Sequence, residues 1–230
     1  FSASSVWIAL FVIGAFLARQ PLKILFTDVR MKRWIEQTSV AFKFLIVFGL
    51  LSLAGFVGSV LSAPAAAFVP FLMVAPLGLY QIYCDSSKLS RELIPEVTGA
   101  IAISSSITVI TLANGWSPVA AYALWAIFAA RLISSIIYVR NRLRLEKQKP
   151  YSAIAPFFVH LAALLMISAF AVYGLASKLT VMMFLVLLVR SCWGISRYRK
   201  RVKAVRIGIW EVIYGTLTAL SVVVGWYLAF

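Results

Sequence analysis

Eight apolar stretches alternate with seven connections of two opposite kinds, and this pattern confines the chain to a helical fold that lives in a membrane. A helical span needs about 20 apolar residues. The stretches lie at roughly 2–18, 40–62, 67–84, 96–113, 118–139, 154–174, 178–195 and 210–229. Hydrocarbon offers no water to unpaired N–H and C=O groups, so each span must satisfy its own backbone, which helices do. The expected fold is all-α: a polytopic transmembrane helical bundle of eight spans, forming a single domain over residues 1–230.

The connections sort by charge. The first, third, fifth and seventh, with the helix ends that flank them, hold every Lys and Arg except Lys178 and Arg131, and all the acidic residues as well. The second, fourth and sixth are short and almost uncharged: Ala63-Pro64-Ala65, Asn114-Gly115-Trp116 and Tyr173-Gly174-Leu175. Loops rich in Lys and Arg stay in the cytoplasm, where the leaflet is negative. The connections around Arg30, Arg91, Arg144 and Arg201 are therefore expected inside, and Trp116 and Lys178 outside, in a multi-pass protein of the inner (cytoplasmic) membrane. Residue 1 then enters from the outer side. Multispan proteins of this type commonly begin inside, so the parity leads us to expect one further span upstream, nine in the full-length protein.

Hydrophobic residues make up 63% of the chain and charged residues 13%, with a net charge of +15. A soluble domain is about half apolar and about a quarter charged. The basic residues sit in short juxtamembrane loops without an extended arm or an aromatic-basic platform, which argues against nucleic acid as a partner. Cys84 and Cys192 fall at cytoplasmic helix ends, where thiols stay reduced, and they form no metal-ligand spacing. No Walker loop, GxGxxG, HExxH or GxSxG is present, and no cofactor or metal is expected.

Proline marks helix starts at Pro95, Pro118 and Pro156 and connections at Pro21, Pro64 and Pro150. Pro70 and Pro76 fall inside the third span and predict a bend or break there. Small residues such as Ala54, Gly58 and Ser62 suit close helix packing.

The polar residues within spans carry the functional argument. A charge at the bilayer centre costs about 2.5–3.5 kcal/mol on insertion scales. Arg131 precedes Arg140 by nine residues, which at 1.5 Å per residue puts it about 13 Å into the membrane. Arg131, Ser135, Tyr138 and Arg142 follow spacings that share one helix face, a polar stripe of donors suited to carboxylate or phosphate. The competing reading of Arg131 is a structural ion pair. Arg190 and Glu211 are expected to form such a pair, Glu211 lying in a first helical turn. His160, the only histidine, is either hydrogen-bonded structure or a ligand group. Gln81, Asp85, Lys88 and Glu92 trace a face expected to be solvated and internally paired, and the basic run from Arg197 to Arg206 to meet lipid headgroups.

Three segments together are familiar: Leu79-Tyr80-Gln81-Ile82-Tyr83-Cys84-Asp85 with Leu93-Ile94-Pro95-Glu96; Ala130-Arg131 through Tyr138-Val139-Arg140-Asn141-Arg142-Leu143-Arg144-Leu145-Glu146; and Lys203 through Arg206-Ile207-Gly208 with Glu211 and Gly215. They resemble the YwiC-like family of bacterial membrane proteins, which carries no established activity. A more distant resemblance is to the UbiA superfamily of intramembrane prenyltransferases. That resemblance implies nine helices and two cytoplasmic loops, here at residues 19–39 and 140–153. Enzymes of that superfamily carry Asp-rich motifs in those loops. This chain has Asp28 and Glu36 in the first and Arg140, Arg142, Arg144 and Glu146 in the second, so any enzymatic activity would be of prenyltransferase type without the paired-metal motif.

The leading expectation is a cytoplasm-facing basic pocket for an anionic amphiphile: an isoprenoid diphosphate, a quinone-precursor carboxylate or an anionic lipid. Its candidate ligand-binding residues are Arg131, Ser135, Tyr138, Arg140, Arg142, His160 and Arg190. The alternative is a noncatalytic structural or assembly subunit packed against other membrane subunits. A transporter ranks third, since no repeat is evident and mid-membrane acids are few.

Overall fold

The structure, a computed structural model, describes residues 2–87 and 92–228. Every regular element among them is helical: α1 (Ala3–Arg30), α2 (Glu36–Ser62), a 3-10 turn (Ala65–Phe68) leading into α3 (Val69–Ser86), α4 (Leu93–Ala113), α5 (Pro118–Glu146), α6 (Ile154–Val172), α7 (Lys178–Ile195) and α8 (Ala204–Tyr227). Eight helical segments are long and apolar enough to cross a membrane. The all-α, eight-span expectation is met, and the lipid bilayer is the environment such surfaces require.

Several boundaries differ from those read off hydropathy. The first helix runs through Pro21 to Arg30, where the sequence reading ended its span at residue 18 and placed Pro21 in a connection. The fifth continues to Glu146, and the eighth opens at Ala204, not at residue 210. Hydropathy marks where a helix leaves hydrocarbon, whereas the backbone ladder has no reason to stop there. Basic side chains solvate the projecting turns. Helix breakers in membrane helices are tolerated when neighbouring groups make up the lost bond, and Pro21 is buried. The third span also differs. Its irregularity is the 3-10 turn before Val69; Pro70 then sits in the first turn of α3, where a missing N–H costs little, and the helix continues through Pro76 to Ser86.

The chain divides into two compact units, Phe1–Ala121 and Tyr122–Phe230. In the first, α1 packs along α2 and also meets α3 and α4, and α3 packs on α4. Close approach of α1 and α2 depends on glycine: a Cβ at Gly14 would lie 2.6 Å from the Ser52 backbone nitrogen, and one at Gly55 would lie 2.7 Å from Phe11 Cα. The turn joining them is held by Asp28, which accepts hydrogen bonds from Thr38 Oγ1 at 2.6 Å and Arg33 Nε at 2.7 Å. In the second unit α7 packs against both α6 and α8. Its apolar centre is Ile127, Ala163, Ile167 and Phe184, and a smaller cluster joins Tyr138, Leu145 and Ile195.

Candidate functional site

The second unit gathers buried charges around two carboxylates, Glu211 and Glu146. Glu211 stands in the second turn of α8. Its Oε2 accepts from Arg131 Nη2 of α5 at 3.2 Å and from Ser135 Oγ, one turn further along α5. Its Oε1 accepts from Arg190 Nη2 of α7. Arg131 Nη2 also lies 3.4 Å from the Glu211 backbone oxygen. Two guanidinium groups thus share a single acid. Their side chains are 6% and 13% exposed and that of Glu211 is 16% exposed, so little water is available to any of them.

Aromatic faces complete the surroundings. The Arg190 guanidinium carbon lies 4.5 Å from the ring centroid of Tyr138 and 4.3 Å from that of Tyr214. A cation between two ring faces is stabilised by their quadrupoles, and desolvation strengthens the effect. Tyr138 also meets His160 of α6 edge to face, 6.3 Å between centroids. His160 Nδ1 is 2.7 Å from the Pro156 carbonyl. A carbonyl only accepts, so Nδ1 carries the proton in that contact. Two buried polar atoms here have no hydrogen-bond partner: Arg131 Nε and Ser191 Oγ.

Further along α5 the arginines do different work. Arg142 donates through Nη1 to the Gly194 carbonyl and through Nη2 to the Lys200 carbonyl at 2.7 Å, and Nη2 lies 2.8 Å from Glu146 Oε1. Carbonyls at the end of a helix lack intrahelical donors, and Arg142 supplies one to the last turn of α7. Gly194 has a second role, since a Cβ there would stand 2.9 Å from Tyr138 Cζ. Arg140, half-buried, is two residues from both Tyr138 and Arg142 and so lies off their helix face.

The structure therefore brings Arg131, Ser135, Tyr138, His160, Arg190 and Glu211 together, places Arg142 in a chain-capping role beside them, and leaves Arg140 off that face. Tyr214 and Gly194 belong to the same neighbourhood, Ser191 follows Arg190 on α7, and none of the three was singled out from the sequence. Tyr214 had a usable signal: it lies three residues after Glu211, on the same helix face. Gly194 and Ser191 had none.

The first unit carries its own shared carboxylate. Asp85 of α3 accepts from Arg19 Nε at 2.6 Å and Arg19 Nη2 at 3.0 Å, and Lys23 Nζ lies 4.0 Å from it. Gln81 is oriented with its amide nitrogen donating to the Pro95 carbonyl and its oxygen accepting from Arg19 Nη2, which gives both ends a complementary partner. Gln81 and Asp85 are buried, contrary to the solvated face expected for them, because α1 supplies cations across the helix packing. Lys88, also assigned to that face, and Arg91 lie outside the described residues. Cys84 is buried and Cys192 exposed, both as free thiols. Among the described residues no group of His, Cys, Asp and Glu is arranged to hold a metal ion.

No curated protein and no solved structure matches the chain. The family model described as YwiC-like protein matches residues 1–112. Over that stretch, which is nearly the whole of the first unit, the chain is similar to the YwiC-like family.

Proposed function

We propose that this is a multi-pass protein of the cytoplasmic membrane, its basic connections inside, whose second unit recognises the head of an anionic amphiphile. The observation that carries the reading is the sharing of Glu211 by Arg131 and Arg190. One carboxylate balances one guanidinium, so a positive charge is left over among apolar helices, together with an unpartnered N–H on Arg131. Uncompensated buried charge is unfavourable, and an incoming anionic head supplies what is missing. Arg131 and Arg190 provide the donors, Ser135 keeps its one hydroxyl hydrogen on Glu211, and Tyr138 and His160 form the wall beside them.

The test is binding of labelled hexadecanoate and of phosphatidylglycerol to the purified protein in detergent. Arg131→Ala should lower binding by about tenfold or more, equivalent to about 1.4 kcal/mol, and Arg131→Lys should not restore it, since Lys keeps the charge and loses the fork. Full binding by either variant rejects the reading. Orientation is tested separately: a cysteine at position 116 should react with an impermeant reagent from outside and one at 201 should not.

A second reading, a noncatalytic subunit of a larger membrane complex, is favoured by Arg142, whose Nη1 and Nη2 go to chain carbonyls and Glu146. It expects Arg131→Ala to release the protein from its partners while leaving amphiphile binding unchanged.

A further inference from the structure

The charges around Glu211 do not balance, and the imbalance has a definite size. Arg131 and Arg190 bring two positive charges and Glu211 one negative. Further along α5, Arg142 belongs to a separate group, with Glu146 at 2.8 Å and Arg199 Nε 3.7 Å from the same oxygen. His160 donates an Nδ1–H hydrogen bond to a carbonyl and makes none to Glu211 or the arginines in the set, and Tyr138 and Tyr214 offer ring faces to Arg190 without a charge. The cluster therefore carries one net positive charge. In surroundings this dry, a single added negative charge brings it to neutrality, whereas two would overshoot and leave an unbalanced anion that is again costly to bury.

We propose that the second unit takes amphiphiles whose head bears a single negative charge, a carboxylate or a phosphodiester, in preference to a doubly charged diphosphate. Glu211 sets that preference as a fixed internal anion. This rests on the anion-recognition reading above and deepens it by naming the valence of the ligand. Glu211 acts through the arginines and without touching the head: it takes up half of their charge and leaves Arg131 Nε, buried and unpartnered, for the incoming group. Bidentate arginine donors match either head, so geometry does not separate carboxylate from phosphodiester. Charge separates both from diphosphate.

The experiment compares heads on one tail. Hexadecanol, hexadecanoate and hexadecyl diphosphate are titrated against the purified full chain in an uncharged detergent, with phosphatidylglycerol nanodiscs as the phosphodiester arm. In the wild type the singly charged heads should bind about tenfold or more tighter than the diphosphate. Glu211→Gln, close to isosteric, raises the cluster to two net positive charges and should reverse that order. Arg190→Gln lowers it to zero and should abolish the advantage of hexadecanoate over hexadecanol. Should Glu211→Gln not fold, the wild-type order and the Arg190→Gln result still decide. Hexadecanoate binding without phosphatidylglycerol identifies a free carboxylate as the source, the converse identifies a lipid headgroup, and both support the proposal. A wild type that prefers diphosphate, or a Glu211→Gln protein with an unchanged order, overturns it while leaving anion recognition intact. A wild type that binds none of the probes overturns the anion-recognition reading itself.

Discussion

Asp85 in the first unit and Glu211 in the second are each shared by two cations, and the two sets differ in how much water reaches them. At Asp85 the cationic partners are open, with Arg19 42% and Lys23 31% exposed, although the acid itself is 7% exposed. At Glu211 all three members are closed, none more than 16% exposed. An arginine whose head reaches solvent loses little when its acid is taken away. One enclosed by helices has nowhere to go. The same pair chemistry therefore staples helices in the first unit and stores an unbalanced charge in the second. The family match lies over the first unit, so the part of the chain with a recognised relationship is not the part that holds the unbalanced cluster.

The sharpest challenge to that contrast is to delete each acid in turn. Glu211→Ala strands two enclosed guanidinium groups and should cost about 3–5 kcal/mol. Asp85→Ala lets Arg19 turn to water and should cost about 1 kcal/mol or less. Thermal unfolding of both variants in the same detergent checks this, and equal losses would erase the distinction.

Arg142→Leu sharpens it within the second unit. The substitution removes donors from the Gly194 and Lys200 carbonyls and a partner from Glu146, an expected loss of about 2–3 kcal/mol. Because Arg142 is engaged with Glu146 and two chain carbonyls and not with Glu211, amphiphile binding should fall far less than in Arg131→Ala. A parallel collapse of binding would mean that the two arginines act as one site.

Gly194→Ala asks whether the placement of Tyr138 matters. The new methyl would press on the Tyr138 ring and its hydroxyl, costing about 1–3 kcal/mol. Adding Tyr138→Phe removes the nearest of the crowded atoms, so the double variant should be more stable than the sum of the single changes predicts. Strict additivity would show that the ring moves freely.

The mildest effect is expected at the turn between α1 and α2. Thr38→Val withdraws one donor from Asp28 but leaves Arg33 in place, so the melting temperature should drop slightly with no change in binding. A loss of binding from that variant would contradict the assignment of the two jobs to separate units.

Most of the architecture was legible before any coordinates. Runs of apolar residues, the near-absence of charge within them and proline at helix starts identify eight helices, because backbone bonding in lipid is local and hydropathy reports directly on the solvent around each segment. Boundaries were less legible. The helix through Pro21 and the early start of α8 at Ala204 occur in charged stretches, where hydropathy falls but nothing interrupts the ladder. The expected break at Pro70 falls instead at the 3-10 turn just before it, since a proline in a first turn has no intrahelical bond to lose.

The neighbourhood of Glu211 shows where local reasoning ends. Spacing on α5 aligns Arg131, Ser135, Tyr138 and Arg142 along one side, a property of the helix alone. The acid beside Arg142 is Glu146, one turn along the same helix, whereas Arg131 and Ser135 meet Glu211, which is 80 residues from Arg131 in the chain. No periodicity encodes a contact across that distance. The same holds for Asp85, whose partner Arg19 is 66 residues away, and for Gly194, whose lack of a side chain matters only because Tyr138 packs against it. Helices, their number and their polar faces follow from bonding within each segment and from its affinity for lipid. Partner choice, enclosure and the one charge left over follow from how separate helices pack, because burial and charge balance are properties of the assembled neighbourhood and not of any single stretch.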